Sequence, residues 1–302
     1  MQLTLGMNVF ISTQGFSKVS MQTVLIGAVT NIILDPVFIF GFDMGVKGAA
    51  LATIISQAIS ALWTLKFLSG NRTILKIKPK YFKLKKEIMF PCIALGIAPF
   101  MMQATESILV LCFNSSLLKY GGDLAVGTMT IVSSAMQFAM LPLQGITQGG
   151  QPIISYNFGA HKIDRVKQAF KYQTMACVAY VTLLFLLVMF VPQAFVMIFT
   201  DNAELMTMAV WAIRIYMFMI VMMGIQVSCQ QTFIALGNAK ASVFLAVFRK
   251  ILVLIPLIYI LPMFFADKVF AIFLAEPVAD FIAVSVTVLL FIKEYRHLEV
   301  KA

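Results

Sequence analysis

Apolar residues along this chain come in long runs rather than in alternation. Eight stretches, 19–42, 46–68, 88–118, 124–146, 168–191, 205–235, 241–261 and 269–291, carry few charges and are parted by short polar segments. A hydrocarbon layer about 30 Å thick takes about 20 helical residues to cross. Backbone polar groups in lipid must be satisfied within the protein, and the period-two pattern of a membrane barrel is missing. The pattern therefore predicts an all-α fold, a polytopic transmembrane helical bundle of about eight spans.

Composition agrees. Hydrophobic residues make up 61% of the 302 positions and charged ones 12%, about half the charge of a soluble domain, so the lipid bilayer replaces a water-excluding core as this chain's partner. The net charge of +10 could suit nucleic acid, but its placement argues for a topology signal instead. One set of alternate loops is assigned nineteen basic residues: Lys18; the eight from Lys66 to Lys86; Lys162, Arg165, Lys167 and Lys171; Lys240, Arg249 and Lys250; Lys293, Arg296 and Lys301. The other set holds Lys47, Lys119 and Lys268, and Arg214 is left inside a span. This split predicts a multi-pass protein of the plasma membrane with a cytoplasmic C-terminus and no nucleic-acid partner. The four cysteines, two in the run 88–118 and one each in 168–191 and 205–235, read as small packing residues.

Sliding the chain on itself by 222 residues superposes Gly15, Lys18 and Ser20 on Gly237, Lys240 and Ser242; a shift of 223 superposes Leu51 and Ala52 on Leu274 and Ala275. Both matches fall at corresponding places in the topology, which implies a parallel repeat, a common architecture of secondary transporters. The expected organisation is a remnant of an N-terminal lobe (1–69), a basic cytoplasmic linker (70–87) and a complete six-span C-terminal lobe (88–302). Relative to the second half, the first is expected to lack about 136 residues, which would complete a twelve-span, six-plus-six protein.

Three segments carry a family resemblance: Asn31-Ile-Ile-Leu-Asp35-Pro36; Gly48-Ala-Ala-Leu-Ala-Thr53-Ile-Ile-Ser56-Gln57; and the run from Pro142 through Gln148, Gln151-Pro152 and Tyr156-Asn157 to Gly159-Ala160. With these the chain resembles, nearly end to end, the multidrug and toxic compound extrusion (MATE) transporters. The resemblance implies two six-helix lobes around a cleft and export of amphipathic or cationic organic compounds by a monomer, driven by Na+ or H+ as coupling ion, with no other cofactor. In one branch of the family the positions matching Asn31, Asp35, Asn8 and Thr53 contribute to a cation or proton site, together with an acid on the first helix. In another branch the acid matching Glu106 binds the coupling cation. Its usual partner on the tenth helix has no counterpart in 205–235, which offers Arg214, Gln226, Gln230 and Gln231.

The residues make a parallel case. Ionisable side chains inside a span are costly and need a reason to be there. Asn31 and Asp35, four apart, project from one helical face and offer the hard oxygen donors that sodium or a proton would use. The competing reading is a local break at Asp35-Pro36. Glu106 shares a polar stripe with Asn114, and its structural alternative is an ion pair with Arg214. Glu276 and Asp280, spaced i, i+4 at the repeat equivalents of Thr53 and Gln57, would share a proton in a low dielectric unless a kink at Pro277 hydrates them.

Other chemistry finds little support. Residues 148–160 lack the Lys-Ser/Thr ending of a phosphate loop, no nucleophile with a base lies in a span, and an enzyme is not expected. The 27 phenylalanines and 20 methionines suit a soft apolar cavity but mostly face lipid or other helices. A lipid-linked precursor flippase, which requires a cationic cavity, is the alternative transporter.

Overall fold

The computed structural model describes residues 2–70, 72–76 and 85–300. Among these every regular element is a helix. The chain divides into two compact units, Met1–Lys86 and Glu87–Ala302; much of the basic linker at 70–87 lies outside the described residues.

Unit 1 holds α1 (Gln2–Thr13), α2 (Ser17–Pro36) and α3 (Gly45–Ser69), with a π turn (Val37–Gly41) after α2. Helices α2 and α3 pack antiparallel through small residues. Gly27 meets the Ser60 side chain, a Cβ on Gly48 would come within 2.7 Å of the Phe38 carbonyl oxygen, and the Ser60 hydroxyl donates to the Thr23 carbonyl at 3.1 Å. Small-residue contacts are how helices associate where lipid removes the hydrophobic incentive to pair.

Unit 2 takes all but the first residue of α4 (Lys86–Gly159). Its 74 residues would reach about 110 Å as one rod, and Gly122 (φ 64°, ψ −160°) breaks it into two helices. There follow α5 (Ile163–Phe190), the short α6 (Pro192–Val196), α7 (Ala203–Tyr216), α8 (Ile220–Ala235), α9 (Ala239–Val247), a π segment (Phe248–Leu254), α10 (Ile255–Phe264) and α11 (Lys268–Val300). The core draws on Phe113 and Leu117, Val132 and Ala135, Val188, Ile213, Ile258 and Phe273. Between α5 and α8 the Gln173 amide donates to the Ser228 hydroxyl (3.2 Å), which also pairs with Thr174 (2.7 Å). Outward-facing Phe40, Phe190, Met263 and Phe264 are each about four-fifths exposed, the inside-out surface of a chain dissolved in lipid.

Among the described residues six helices are long and apolar enough to cross a membrane, and α7 with α8 makes a seventh. Cutting α4 at Gly122 gives the eighth, so the protein is a polytopic helical membrane protein. Three details of the sequence reading change. The run 205–235 is bent by 51° between α7 and α8. The helix expected to stop at residue 146 continues to Gly159, taking the glycine-rich stretch with it. Arg249 and Lys250, assigned to a cytoplasmic loop, lie inside the span Lys240–Phe264.

The repeat is visible in the backbone. After α1, the Gly15 N–H donates to Ser12 O (3.0 Å) and Phe16 N–H to Ile11 O (3.3 Å); after α8, Gly237 N–H donates to Ile234 O (3.0 Å) and Asn238 N–H to Phe233 O (2.9 Å). All four donors and acceptors are related by the same 222-residue shift. The geometry is a Schellman cap, and both glycines take a left-handed conformation (φ 88° and 75°) that a Cβ would disfavour.

Candidate functional site: intramembrane charges

In unit 1 the structure brings Asn31 and Asp35 together: the Asn31 amide donates to Asp35 Oδ1 at 3.2 Å. Both are half-buried on the last turns of α2, just before the π turn, which Phe42 N–H closes by donating to Val37 O at 3.0 Å. Among the described residues no cation pairs with Asp35. Thr53 lies level with the Asn31 turn, in the register set by Gly48 on Phe38 and Gly27 on Ser60. It is exposed, and its hydroxyl donates to Ala49 O of its own helix (2.9 Å). Asn8 is elsewhere. Its amide donates to Ser20 O at 3.2 Å, fifteen residues back from Asp35, or about 22 Å along α2.

Unit 2 holds a denser arrangement. Glu276 and Asp280 are one turn apart on α11, which runs on through Pro277, so both carboxylates share a face. The guanidinium of Arg249 enters between them: Nε donates to Asp280 Oδ1 at 2.7 Å, while Nη2 lies 2.9 Å from Glu276 Oε1 and 2.6 Å from Asp280 Oδ1. Beside it, Lys250 Nζ donates to Glu106 Oε1. Arg249, Glu276 and Asp280 are all nearly enclosed, whereas the Glu106 side chain is 54% exposed and Lys250 lies buried behind it. The buried Tyr216 of α7 lies within electrostatic reach of Glu106, Arg249, Glu276 and Asp280, and its ring meets Phe113 of α4.

The π segment aims these two consecutive cations at different helices. Pro256, just beyond it, has no N–H to donate, and its ring crowds the carbonyl four residues back. The helix widens ahead of it, and Ile255 N–H bonds Lys250 O, five residues back. Single π turns of this kind recur at functional sites.

Two expectations are corrected. Glu106 pairs with Lys250 and not with Arg214, which is exposed in the last turn of α7. Glu276 and Asp280 have a guanidinium between them and are not a bare acidic pair. Asn114 is half-buried on the same helix as Glu106, two turns on. Sequence reasoning missed Arg249 and Lys250 although they are the ninth and tenth residues of its own predicted span 241–261. A cation that deep in an apolar run, six or seven residues before a proline, was the available signal.

A family model described as MatE matches residues 99–260. The multidrug export protein MepA of Staphylococcus aureus (strain MSSA476) is 28% identical over 283 residues, covering 93% of this chain and 62% of the relative. MepA of Staphylococcus saprophyticus matches to the same extent. Among solved structures, a MATE protein in complex with MaL6 superposes with a TM-score of 0.91 at 20% identity, over 98% of this chain and 67% of that one. An outward-facing multidrug resistance MATE family transporter gives 0.87 at 21%, over 94% and 64%. The chain thus spans 62% of the length of these curated relatives.

Proposed function

The chain belongs to the MatE family of membrane transporters, and from that premise we propose that it serves in ion-coupled export of amphipathic and cationic organic compounds. The observation that carries the reading is the set of ionisable groups inside apolar helices, Asp35 with Asn31 in unit 1 and Glu106 with Lys250 in unit 2. Each acid offers oxygens to a monovalent cation or proton where no soluble-protein role exists for them. The MepA relatives named as multidrug export proteins support the same substrate class. Alternating access supplies the transport step, Na+ or H+ the driving force, and the C-terminus faces the cytoplasm. One elementary charge moving down a potential contributes about 2.3 kcal/mol per 100 mV, enough for useful accumulation.

Asn8 and Thr53 belong to this proposal as auxiliary oxygen ligands, Asn8 with its side-chain amide oxygen buried and without a hydrogen-bond partner among the described residues. The flippase alternative gains two cations from Arg249 and Lys250, but three carboxylates face them, so the surroundings stay acidic. The test is ethidium accumulation in cells of an efflux-deficient bacterial strain expressing the chain. Glu106→Gln and Asp35→Asn are expected to abolish energised dye export at unchanged membrane expression. Export at the wild-type rate in both variants would overturn the site assignment.

A further inference from the structure

Five ionisable side chains of unit 2 form two adjoining sets, Lys250 on Glu106 and Arg249 on Glu276 and Asp280. Three carboxylates face two cations, so with every group ionised the cluster carries one uncompensated negative charge within the helices. A bare charge at that depth is strongly disfavoured. One more unit of positive charge therefore belongs to the site, and the geometry offers two places for it. Glu276 uses Oε1 for Arg249, but its Oε2 is buried and has no hydrogen-bond partner among the described residues, in a residue only 5% exposed. Glu106 is the opposite case, an open carboxylate whose other flank is free of Lys250. An enclosed oxygen with no room for a coordination shell suits a proton. An open carboxylate suits an organic cation too large to be enclosed.

We propose that these five side chains form one exchange site with room for a single added positive charge, held as a proton on Glu276 at rest and as an organic monocation against Glu106 when ligand is bound. The proposal rests on the export reading above and deepens it. The groups facing Glu276 are Asp280 on its own helix, Arg249 and Lys250 from the π segment, and Glu106 from α4, with Tyr216 from α7 near the same cluster. When a monocation settles on Glu106 it competes with Lys250. The displaced ammonium and its neighbour Arg249 then raise the positive potential at Glu276. The O–H bond of Glu276 breaks, the electron pair stays on the carboxylate and the proton leaves to water. One charge enters, one leaves, and the cluster stays neutral.

The experiment uses the purified full chain in weakly buffered detergent, with tetraphenylphosphonium as the probe, binding followed by its own signal and proton release by a pH dye. The wild type is expected to release about one proton per cation bound, and its affinity to weaken about tenfold for each unit of falling pH, as reciprocal linkage requires. Glu276→Gln is expected to bind without release and with a flat pH profile. Lys250→Gln, which removes a positive charge and so makes room for proton and ligand together, is also expected to bind without release. Glu204→Gln, an acid outside the cluster, releases like the wild type. Cation binding by the wild type with no proton release, or release that persists in Glu276→Gln or in Lys250→Gln, overturns the exchange site and leaves the export reading standing. No binding by the wild type overturns both.

Discussion

The two units launch their last helical hairpins from the same glycine cap and fill the hairpins differently. The 222-residue shift places Gly27 where unit 2 has Arg249, and the 223-residue shift places Thr53 and Gln57 where it has Glu276 and Asp280. In unit 1 those positions are neutral, and the α2–α3 hairpin closes on Gly27, Gly48 and the Ser60 to Thr23 hydrogen bond. In unit 2 they form a closed ion triad. One scaffold accepts both fillings, so the triad is not needed to hold such a hairpin together. Buried ion pairs are in any case weak evidence for stability, since well-packed neutral residues often do as well. What the charges add, on the exchange proposal, is the ability to take and release a positive charge. Unit 1 has its intramembrane acid at another place, Asp35, with an amide neighbour and no paired cation among the described residues.

The comparison breaks most visibly at Arg249. Arg249→Met leaves two enclosed carboxylates without their partner and is expected to cost about 3–5 kcal/mol, read as a lowered unfolding midpoint in detergent or as lost membrane yield. Making the hairpin resemble unit 1, with Arg249→Met, Glu276→Gln and Asp280→Asn together, is expected to restore most of that stability while abolishing ligand-linked proton release. A single variant as stable as the wild type would show that the triad is not closed. Next in size is Gly48→Ala in unit 1. Its new methyl meets the Phe38 backbone and not a movable side chain, for an expected loss of about 1–3 kcal/mol in the same melt. Smallest is Ser228→Ala, which removes the hydroxyl that joins Gln173 and Thr174 across α5 and α8. Interhelical hydrogen bonds in membranes contribute about 1 kcal/mol or less, so a modest shift of the midpoint is expected and no loss of proton release.

The spans were legible because lipid demands long uninterrupted apolar runs, and no other class of protein writes them. The bend at residues 217–219 was not, because hydropathy records depth and not direction, and neither proline nor glycine stands at Met217, Phe218 or Met219. Asn31 and Asp35 could be paired from spacing alone, since both lie on one helix. The partners of Glu106 and Arg249 could not: they are 144 and 27 to 31 residues away in sequence, and only packing chooses among such distant charges. Arg249 and Lys250 were hidden by habit. Basic residues near a span edge count toward topology, and the rule conceals those that have moved inside.

On the export proposal, intramembrane acids, one in each unit, carry the coupling. Its most direct test is dye transport in proteoliposomes under imposed proton and sodium gradients, comparing the wild type with the double variant Asp35→Asn and Glu106→Gln after correct folding has been verified by its melt. Uphill dye movement is expected from the wild type under at least one gradient and from the double variant under neither. Uphill transport at the wild-type rate with both acids neutralised would contradict the proposal.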